Sequence, residues 1–158
     1  MLFYIVIPAV ASGLIWGLVY LFKWRRNRQI ISYRGRMLEE INSVRRKHNC
    51  PRIGRTQLLD RVAVGHARSM AKRRKCDHNG FGKRSALIES RTGVSHIAEN
   101  CYMYPASRYD WDVGRHLVLG WLRSSGHRKN LLNPSFRRTG IGIKVRKGQV
   151  YAAQIFTD

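Results

Sequence analysis

The spacing of apolar residues predicts the first helices of a folded domain. Leu38, Ile41 and Val44 recur every three residues among charged positions, which predicts an amphipathic helix. A second helix is predicted over 57–75, where apolar side chains again return to one face. Its last turn, 72–75, is entirely basic, and cations there complement the negative end of the helix dipole. We interpret that basic run as a helix end.

A third helix is predicted to begin at an N-cap on Asp110 and to end near Ser124. Gly126 then predicts a helix stop, which places His127 just beyond a helix end. The segment 76–105 contains several Gly and Ser residues. It is predicted to be loop with one short strand.

The C-terminal region is predicted to be a β-hairpin. Its strands are 139–146 and 149–157, joined by a turn at Lys147 and Gly148. The second strand is apolar on both faces, which predicts that both faces are covered. Helices flanking such a sheet give one α/β domain, a three-layer α-β-α sandwich with a mainly antiparallel central sheet.

The N-terminal segment differs from the rest of the chain. Residues 2–22 carry no charge and are followed by a basic run that starts at Lys23. At about 1.5 Å per residue, such a helix spans the ~30 Å hydrocarbon layer of a bilayer. A cleaved signal peptide would show a basic start, a shorter apolar core and a small-residue cleavage site, and none is clear here. We therefore expect a single-pass membrane protein with one transmembrane helix at 1–22, a basic linker at 23–35 and a folded domain at 36–158.

The formal net charge of +21 indicates attraction to polyanions. For a domain tethered beside a bilayer, the nearest polyanion is the anionic membrane surface, which is the expected partner. Nucleic acid is not expected, because no recognition-helix, zinc-finger or RNA-binding signature is present. The sequence defines no protein partner. A surface that is merely basic and solvated stays open as the alternative.

The three cysteines are too few for a disulfide framework, and an odd number cannot all pair with one another. Cys50, Cys76 and Cys101 fit reduced thiols on the cytoplasmic side, although one bridge is not excluded. Cys76 lies two residues before His78, and Cys101 lies two residues after Glu99. A bridge between them, thiolate ligation, or a role as small buried apolar side chains all stay open.

Three separated segments carry the residue types that a shared polar site needs. They are His78-Asn79-Gly80, Ala98-Glu99-Asn100 and the run Gly-His-Arg-Lys-Asn-Leu-Leu at 126–132. Two imidazoles and one carboxylate thus arrive from different parts of a small domain. Together with Gly-Trp-Leu-Arg-Ser-Ser-Gly-His-Arg at 120–128 and Gly140-Ile141-Gly142, these segments resemble the CAP superfamily of cysteine-rich secretory proteins, venom antigens and plant pathogenesis-related proteins. The resemblance is closest to the prokaryotic SCP-type members.

The resemblance implies a three-layer fold with a central cleft lined by two His and two Glu. The matching positions here are His78, Glu99 and His127, while Ser124 stands where the second Glu would be. The family is linked to capture of lipids or sterols and to extracellular interactions. The resemblance therefore implies a binding or interaction module for a lipid or other apolar ligand, or for an anionic surface.

The cleft residues suit more than one chemistry. Two neutral imidazoles, His78 and His127, can bind Zn²⁺ at about 2.0 to 2.1 Å, with Glu99 acting through a bound water. Alternatively, the three residues form a structural hydrogen-bond network. A metal-dependent or Ser/His-dependent hydrolase is the second function class, with Ser124 as nucleophile, His127 as base and Glu99 as orienter. No Gly-x-Ser-x-Gly elbow supports that class.

Predictions also follow for one histidine and four aromatic residues outside the site motifs. His66 lies on the apolar face of the second helix and is predicted to be a core histidine with satisfied hydrogen bonds. Aromatic residues after the second motif are candidate walls for an apolar ligand, although core packing explains them equally well. They are Tyr102, Tyr104, Tyr109 and Trp111.

The side of the membrane stays open at this stage. The positive charges flank only the C-terminal end of the apolar segment, which favours a cytoplasmic domain. The family resemblance favours a domain outside the cytoplasm.

Overall fold

The computed structural model of the chain describes residues 9–106 and 112–158. The chain forms two compact units, Met1–Ser32 and Tyr33–Asp158. The elements in chain order are α1 (Ala9–Lys47), β1 (Gly54–Arg55), α2 (Gln57–Arg73), α3 (Phe81–Thr92), β2 (Ile97–Pro105), α4 (Val113–Arg123), α5 (Ser125–Leu131), β3 (Arg138–Arg146) and β4 (Gln149–Thr157).

The four strands form one sheet in the order β1-β3-β4-β2. Strands β3 and β4 pair antiparallel around a turn at Lys147 and Gly148, both with positive φ, which confirms the predicted hairpin. Strand β2 pairs antiparallel with β4, from Ile97 opposite Thr157 onwards. Strand β2 therefore lies at one edge of the sheet.

The predicted mainly antiparallel sheet needs a correction, because the sheet is mixed. The two-residue strand β1 pairs parallel with β3, with Gly54 opposite Arg138. The backbone N–H of Thr56 continues this pairing by donating to the carbonyl of Thr139. So short a strand has no alternation of apolar and polar residues, and the sequence gives no signal for it.

Helices cover both faces of the sheet, as the predicted three layers require. Alternate residues of β4 enter two separate cores. Val150, Ala152 and Phe156 pack with residues of α1 and α4. Tyr151, Ala153 and Ile155 pack with residues of α2 and α3.

Two glycines of β3 let α2 pack directly on the sheet. A Cβ at Gly140 would overlap the backbone of Leu59, and a Cβ at Gly142 would overlap the backbone of Ala63. Neither position tolerates any side chain without moving the helix. The Gly-Ile-Gly motif therefore sets the distance between α2 and the sheet.

A buried arginine ties three segments of the domain together. Arg45, on α1, is fully buried, and its guanidinium donates only to backbone carbonyls. The acceptors are Pro51 at 2.8 Å, Leu131 at 2.8 Å, Asn133 at 3.0 Å and Phe136 at 3.1 Å. The residue thereby satisfies a carbonyl at the end of α5 and holds the loop that leads into β3.

Two short helices were not predicted. Helix α3 lies in the segment predicted to be loop, between Gly80 and Gly93, both with positive φ. Only Ile88 of this helix is buried, so its apolar pattern is weak. Helix α5 restarts directly after Ser124, whose extended backbone separates it from α4. Gly126 is therefore not a helix stop, and His127 lies inside a helix instead of beyond one.

The helix ends also refine the predictions. Helix α2 ends at Arg73, because Arg74 adopts the left-handed conformation. The N-cap of α4 is Asp112, whose side chain accepts a hydrogen bond from the backbone N–H of Arg115 at 3.0 Å. The predicted N-cap Asp110 lies outside the described residues.

The N-terminal unit exposes a continuous set of large apolar side chains. They are Ile15, Trp16, Leu18, Val19, Tyr20, Leu21, Phe22 and Trp24. Within residues 9–106 and 112–158, no helix is both long enough and apolar enough to cross a bilayer. The predicted transmembrane helix is therefore not found there, because the described uncharged run begins at Ala9 and ends before Lys23. Residues 1–8 of the predicted anchor lie outside the described residues.

Candidate functional site

The predicted site residues come together at the β2 edge of the sheet. His78 lies in the loop between α2 and α3, Glu99 lies in β2, and His127 lies in α5. Because β2 is an edge strand, the His78 loop and α5 can both reach it. The fold thus assembles three segments that are far apart in sequence.

Glu99 is the centre of the site. Its side chain is 1% exposed, and its Oε1 atom lies 2.9 Å from Nδ1 of His78. Arg84, on α3, donates to both carboxylate oxygens, from Nε to Oε2 at 2.9 Å and from Nη2 to Oε1 at 2.8 Å. This two-pronged ion pair offsets the cost of burying the carboxylate.

The contact with Glu99 fixes the tautomer of His78. A carboxylate only accepts hydrogen bonds, so Nδ1 of His78 carries the proton that it donates to Glu99. In the neutral ring, Nε2 then keeps its lone pair. The side chain of His78 is 53% exposed. An exposed imidazole whose Nδ1 is held by a carboxylate therefore lies at this edge of the sheet.

His127 reaches the site through a buried amide pair. The side chain of Asn100 donates to the backbone carbonyl of His127 at 3.0 Å and accepts from the side chain of Asn130 at 2.9 Å. Burial lowers the pKa of His127, and the neighbouring imidazole of His78 lowers that pKa further. The two imidazoles are thus neighbours. Nδ1 of His127 is buried and has no hydrogen-bond partner among the described residues.

His66 is the core histidine that the sequence predicted. Its Nε2 lies 2.8 Å from the carbonyl of Asp77, so Nε2 donates that bond, and the same atom lies 3.6 Å from Oε1 of Glu99. Burial is the main cause that lowers the pKa of His66. The ring is therefore neutral, and its Nε2 is engaged in a hydrogen bond to the carbonyl of Asp77.

The cysteines near the site are free thiols. Cys76 is half-buried and Cys101 is buried, and neither forms a disulfide. Burial raises the pKa of the Cys76 thiol to about 11, and burial beside Glu99 raises that of Cys101 further. Both thiols therefore stay protonated at physiological pH. Cys101 packs in the core that α2 and α3 form with the sheet. Of the roles that the sequence left open, this packing fits a small buried apolar side chain.

The family model described as "CAP: Cysteine-rich secretory protein family" matches residues 38–157. The chain belongs to the CAP family. A relative named "Uncharacterized membrane protein YlbC" from Bacillus subtilis is 30% identical over 68% of this chain and 30% of its own length. An extracellular protein containing an SCP domain from Bacillus anthracis is 30% identical, with a TM-score of 0.60 over 78% of this chain and 39% of that one. This chain thus spans about a third of each of these relatives.

A more distant CAP structure carries the same fold. The crystal structure titled NaASP2 with Zn²⁺ is 12% identical, with a TM-score of 0.51 over 68% of this chain and 60% of that one. At this identity the similarity shows the fold alone.

The CAP cleft of this chain does not assemble the predicted Ser-His-Glu relay. Glu99 binds His78 and Arg84, and no hydrogen bond joins it to His127 among the described residues. Ser124 lies at the start of α5 and makes no side-chain capping bond. The orienting carboxylate that a serine hydrolase needs is therefore committed to the other histidine.

One group of side chains in the CAP domain could hold a metal ion. Ligand atoms of His66, Glu99 and Cys101 lie within 4.8 Å of one another. Nε2 of His66 already donates to a carbonyl, both oxygens of Glu99 are held by Arg84, and the Cys101 thiol is protonated. A metal at this group would displace the proton of Cys101, because thiols bind metals as thiolates, and Nδ1 of His66 keeps its lone pair.

His78 and His127 are a second pair of possible metal ligands. Nε2 of His78 is accessible and its ring is oriented by a carboxylate, an arrangement typical of metal-binding histidines. His127 is neutral because its pKa is lowered. Glu99 holds the ring of His78 through Oε1, whereas its Oε2 accepts a hydrogen bond from Arg84. The contact of Glu99 with a metal through water stays a prediction.

Two of the four aromatic residues predicted to line an apolar ligand site lie on the other side of the sheet from Glu99. Tyr102 and Tyr104 point to the face of β2 opposite Glu99 and pack in the α1 and α4 core. Tyr104 stacks on His116, with ring centroids 4.0 Å apart. Tyr109 and Trp111 lie outside the described residues.

Three further residues build the cleft and were not predicted from the sequence. Arg84 was in a segment predicted to be loop, so its position opposite Glu99 had no signal. Asn100 and Asn130 are both in the quoted motifs, and their pairing gives those motifs a physical reason. A buried amide next to an acidic residue in a predicted strand is a signal that could have identified Asn100.

We expect the CAP domain to lose stability as the pH falls below about 6.5. The unfolded chain binds a proton at His66 near that pH, whereas the folded chain binds one only at the lower pKa set by burial. Between the two values the unfolded state binds more protons, so the free energy of unfolding decreases with falling pH. His127 adds to the same trend.

Urea unfolding at about pH 7.5 and 5.5 measures this effect. His66→Gln keeps a donor for the carbonyl of Asp77 but cannot be protonated, so its loss of stability should be smaller than that of the wild type. His48→Gln changes an exposed histidine and should leave the loss unchanged. An equal loss in all three proteins would contradict the role of His66.

Proposed function

We propose that this CAP domain is a binding module whose cleft holds a divalent cation of the zinc class through Nε2 of His78 and Nε2 of His127. The observation that carries the proposal is the 2.9 Å contact between Nδ1 of His78 and Oε1 of Glu99. That contact orients the ring and, in the neutral imidazole, places the proton on Nδ1, so that Nε2 is the nitrogen with a lone pair for a metal. A bound cation of this class would act as a Lewis acid that attracts an anionic or carbonyl group.

The chain's own residues prepare the cleft for such a ligand. Arg84 holds the Glu99 carboxylate in place through two hydrogen bonds, so Glu99 stays in position to accept the hydrogen bond from Nδ1 of His78. His127 stays neutral at physiological pH because burial lowers its pKa. Two protein ligands leave the remaining coordination positions open, which suits ligand binding better than a closed structural site. The NaASP2 structure with Zn²⁺ supports zinc as the probe for this chain.

We also propose that the N-terminal unit attaches the protein to a membrane. Eight large apolar side chains between Ile15 and Trp24 are exposed, a surface that water does not favour. Trp16, Tyr20 and Trp24 are four residues apart and border one groove of about 610 Å³. Amphipathic aromatics of this kind are enriched at membrane interfaces. The name of the YlbC relative supports this attachment.

The side of the membrane stays a prediction with two opposed arguments. The basic flank favours the cytoplasm, whereas the relative from Bacillus anthracis is described as extracellular. Binding to an anionic lipid surface and capture of an apolar ligand likewise stay predictions.

Calorimetric titration of zinc into the full chain tests the cleft. We expect one zinc site in the wild type, a loss of affinity of at least about tenfold in His78→Ala and in His127→Ala, and no change in His48→Ala. Glu99→Gln should weaken zinc binding by about 10- to 100-fold, because an amide orients the imidazole less well. Wild-type binding no tighter than that of the two cleft variants would leave only the structural network.

A further inference from the structure

The exposed face of α2 carries a row of three cations. Arg61, Arg68 and Lys72 are exposed, and intervals of seven and four residues bring them to one side of the helix. At about 1.5 Å per residue, this cationic row extends over roughly 16 Å. The opposite side of α2 is buried against the sheet, so the row faces solvent.

In the part of the chain that the structure describes, no acidic side chain pairs with the cationic row. Among the described residues, none of the ion pairs includes Arg61, Arg68 or Lys72. The acids nearest to the row in sequence are already paired, Asp60 with Arg55 and Asp77 with Arg73. The row therefore presents an unbalanced positive potential to whatever approaches it.

A glycine interrupts the row where no packing requires one. Gly65 is exposed in the middle of α2, and a Cβ there would meet nothing within 4 Å. Glycine is among the least favourable residues in a helix interior, so an alanine would make a better helix. The contrast with Gly142, where a Cβ would overlap α2, is clear. Gly65 instead opens the helix backbone to a close approach from outside the chain.

We propose that the exposed face of α2 docks a linear chain of phosphate groups, which lies along Arg61, Arg68 and Lys72 and passes over Gly65. Arginine and lysine are the side chains that bind phosphate. The cations stand in single file on a convex helix, which matches a linear polymer better than a flat bilayer. The exposed residues of this face include no aromatic side chain to stack on unpaired bases, which favours a polymer without bases.

Binding of labelled inorganic polyphosphate to the full chain in neutral detergent, followed by fluorescence anisotropy, tests the proposal. Arg68→Glu/Lys72→Glu should weaken binding by about 30-fold and reduce the slope of log affinity against log salt by roughly 1.4, the value for two phosphate contacts. Arg115→Glu/Arg123→Glu on α4 makes the same change in net charge on exposed positions. It should weaken binding less than about threefold. Equal losses in the two variants would mean that net charge alone drives binding, and would overturn the proposal.

A second variant tests the path over Gly65. Gly65→Gln replaces glycine with a good helix former, so its melting temperature should be equal to or higher than that of the wild type. Its affinity for polyphosphate should nevertheless fall by about tenfold, because the side chain fills the approach to the backbone. Unchanged affinity in this stable variant would overturn the proposal.

Competition identifies the class of polyanion. Detergent micelles that contain phosphatidylglycerol should displace polyphosphate poorly for the same amount of phosphate. Equal displacement would show that the row binds a lipid surface, and the linear chain would be wrong. A thymidine oligomer of equal charge should bind no tighter than polyphosphate. Binding about tenfold tighter would show that bases contribute, and would also overturn the proposal.

Discussion

Replacing Gly142 by alanine is expected to lower the free energy of unfolding by about 3 kcal/mol, because the new methyl group would overlap the backbone of Ala63. The overlapping atoms belong to the backbone of α2, which cannot rotate away as a side chain can. The helix must therefore move off the sheet and lose contacts along its whole buried face. A loss of this size is a large part of the stability of an ordinary domain.

Urea unfolding of the full chain measures the Gly142→Ala effect. Gly126→Ala is the matched control, because a Cβ at Gly126 meets nothing within 4 Å and its φ is not positive. The control should change the free energy of unfolding by less than about 0.5 kcal/mol or increase it. Two variants of equal stability would contradict the direct packing of α2 on β3.

Replacing Arg84 by methionine is expected to cost about 3 to 5 kcal/mol of stability, because it removes the cation that holds Glu99. The Glu99 side chain is 1% exposed, so water cannot replace the lost ion pair. The same change should weaken zinc binding, since Glu99 would no longer be held in position to orient His78.

Two further variants isolate the ion pair. Lys83→Met removes the exposed neighbouring cation on α3 and should cost less than about 0.5 kcal/mol. Glu99→Gln in the Arg84→Met background should recover part of the lost stability, because a buried amide carries no charge. If Arg84→Met were as stable as Lys83→Met, the cleft would not depend on the Arg84–Glu99 pair.

The regular spacing of apolar residues in the longer segments was enough to predict the main elements of the fold. Helix α2 and the β3–β4 hairpin have strong apolar patterns, and the two faces of β4 were predicted correctly. Helix α3 was missed because it buries only Ile88 and is held by the Arg84 contact with Glu99, which is a tertiary effect. The parallel pairing of β1 was not predicted, because a strand of two residues is too short to show an alternation of apolar and polar side chains.

The candidate site was predicted in its members but not in its connections. His78, Glu99 and His127 are indeed brought to one edge of the sheet. The sequence could not show that Glu99 faces His78 and Arg84, because those contacts depend on the direction of each side chain. For the same reason Tyr102 could not be assigned to the opposite face until the register of β2 was known.

Nitrogen NMR of the histidine rings tests the proposed cleft most directly, because it distinguishes protonated, free and metal-bound ring nitrogens. In the zinc-free protein we predict that Nδ1 of His78 carries the proton and that Nε2 does not. On addition of zinc, the resonances of Nε2 of His78 and Nε2 of His127 should shift to metal-bound values, while Nδ1 of His78 should stay protonated. A proton on Nε2 of His78 before addition, or unchanged spectra of both rings after it, would contradict the proposed cation site.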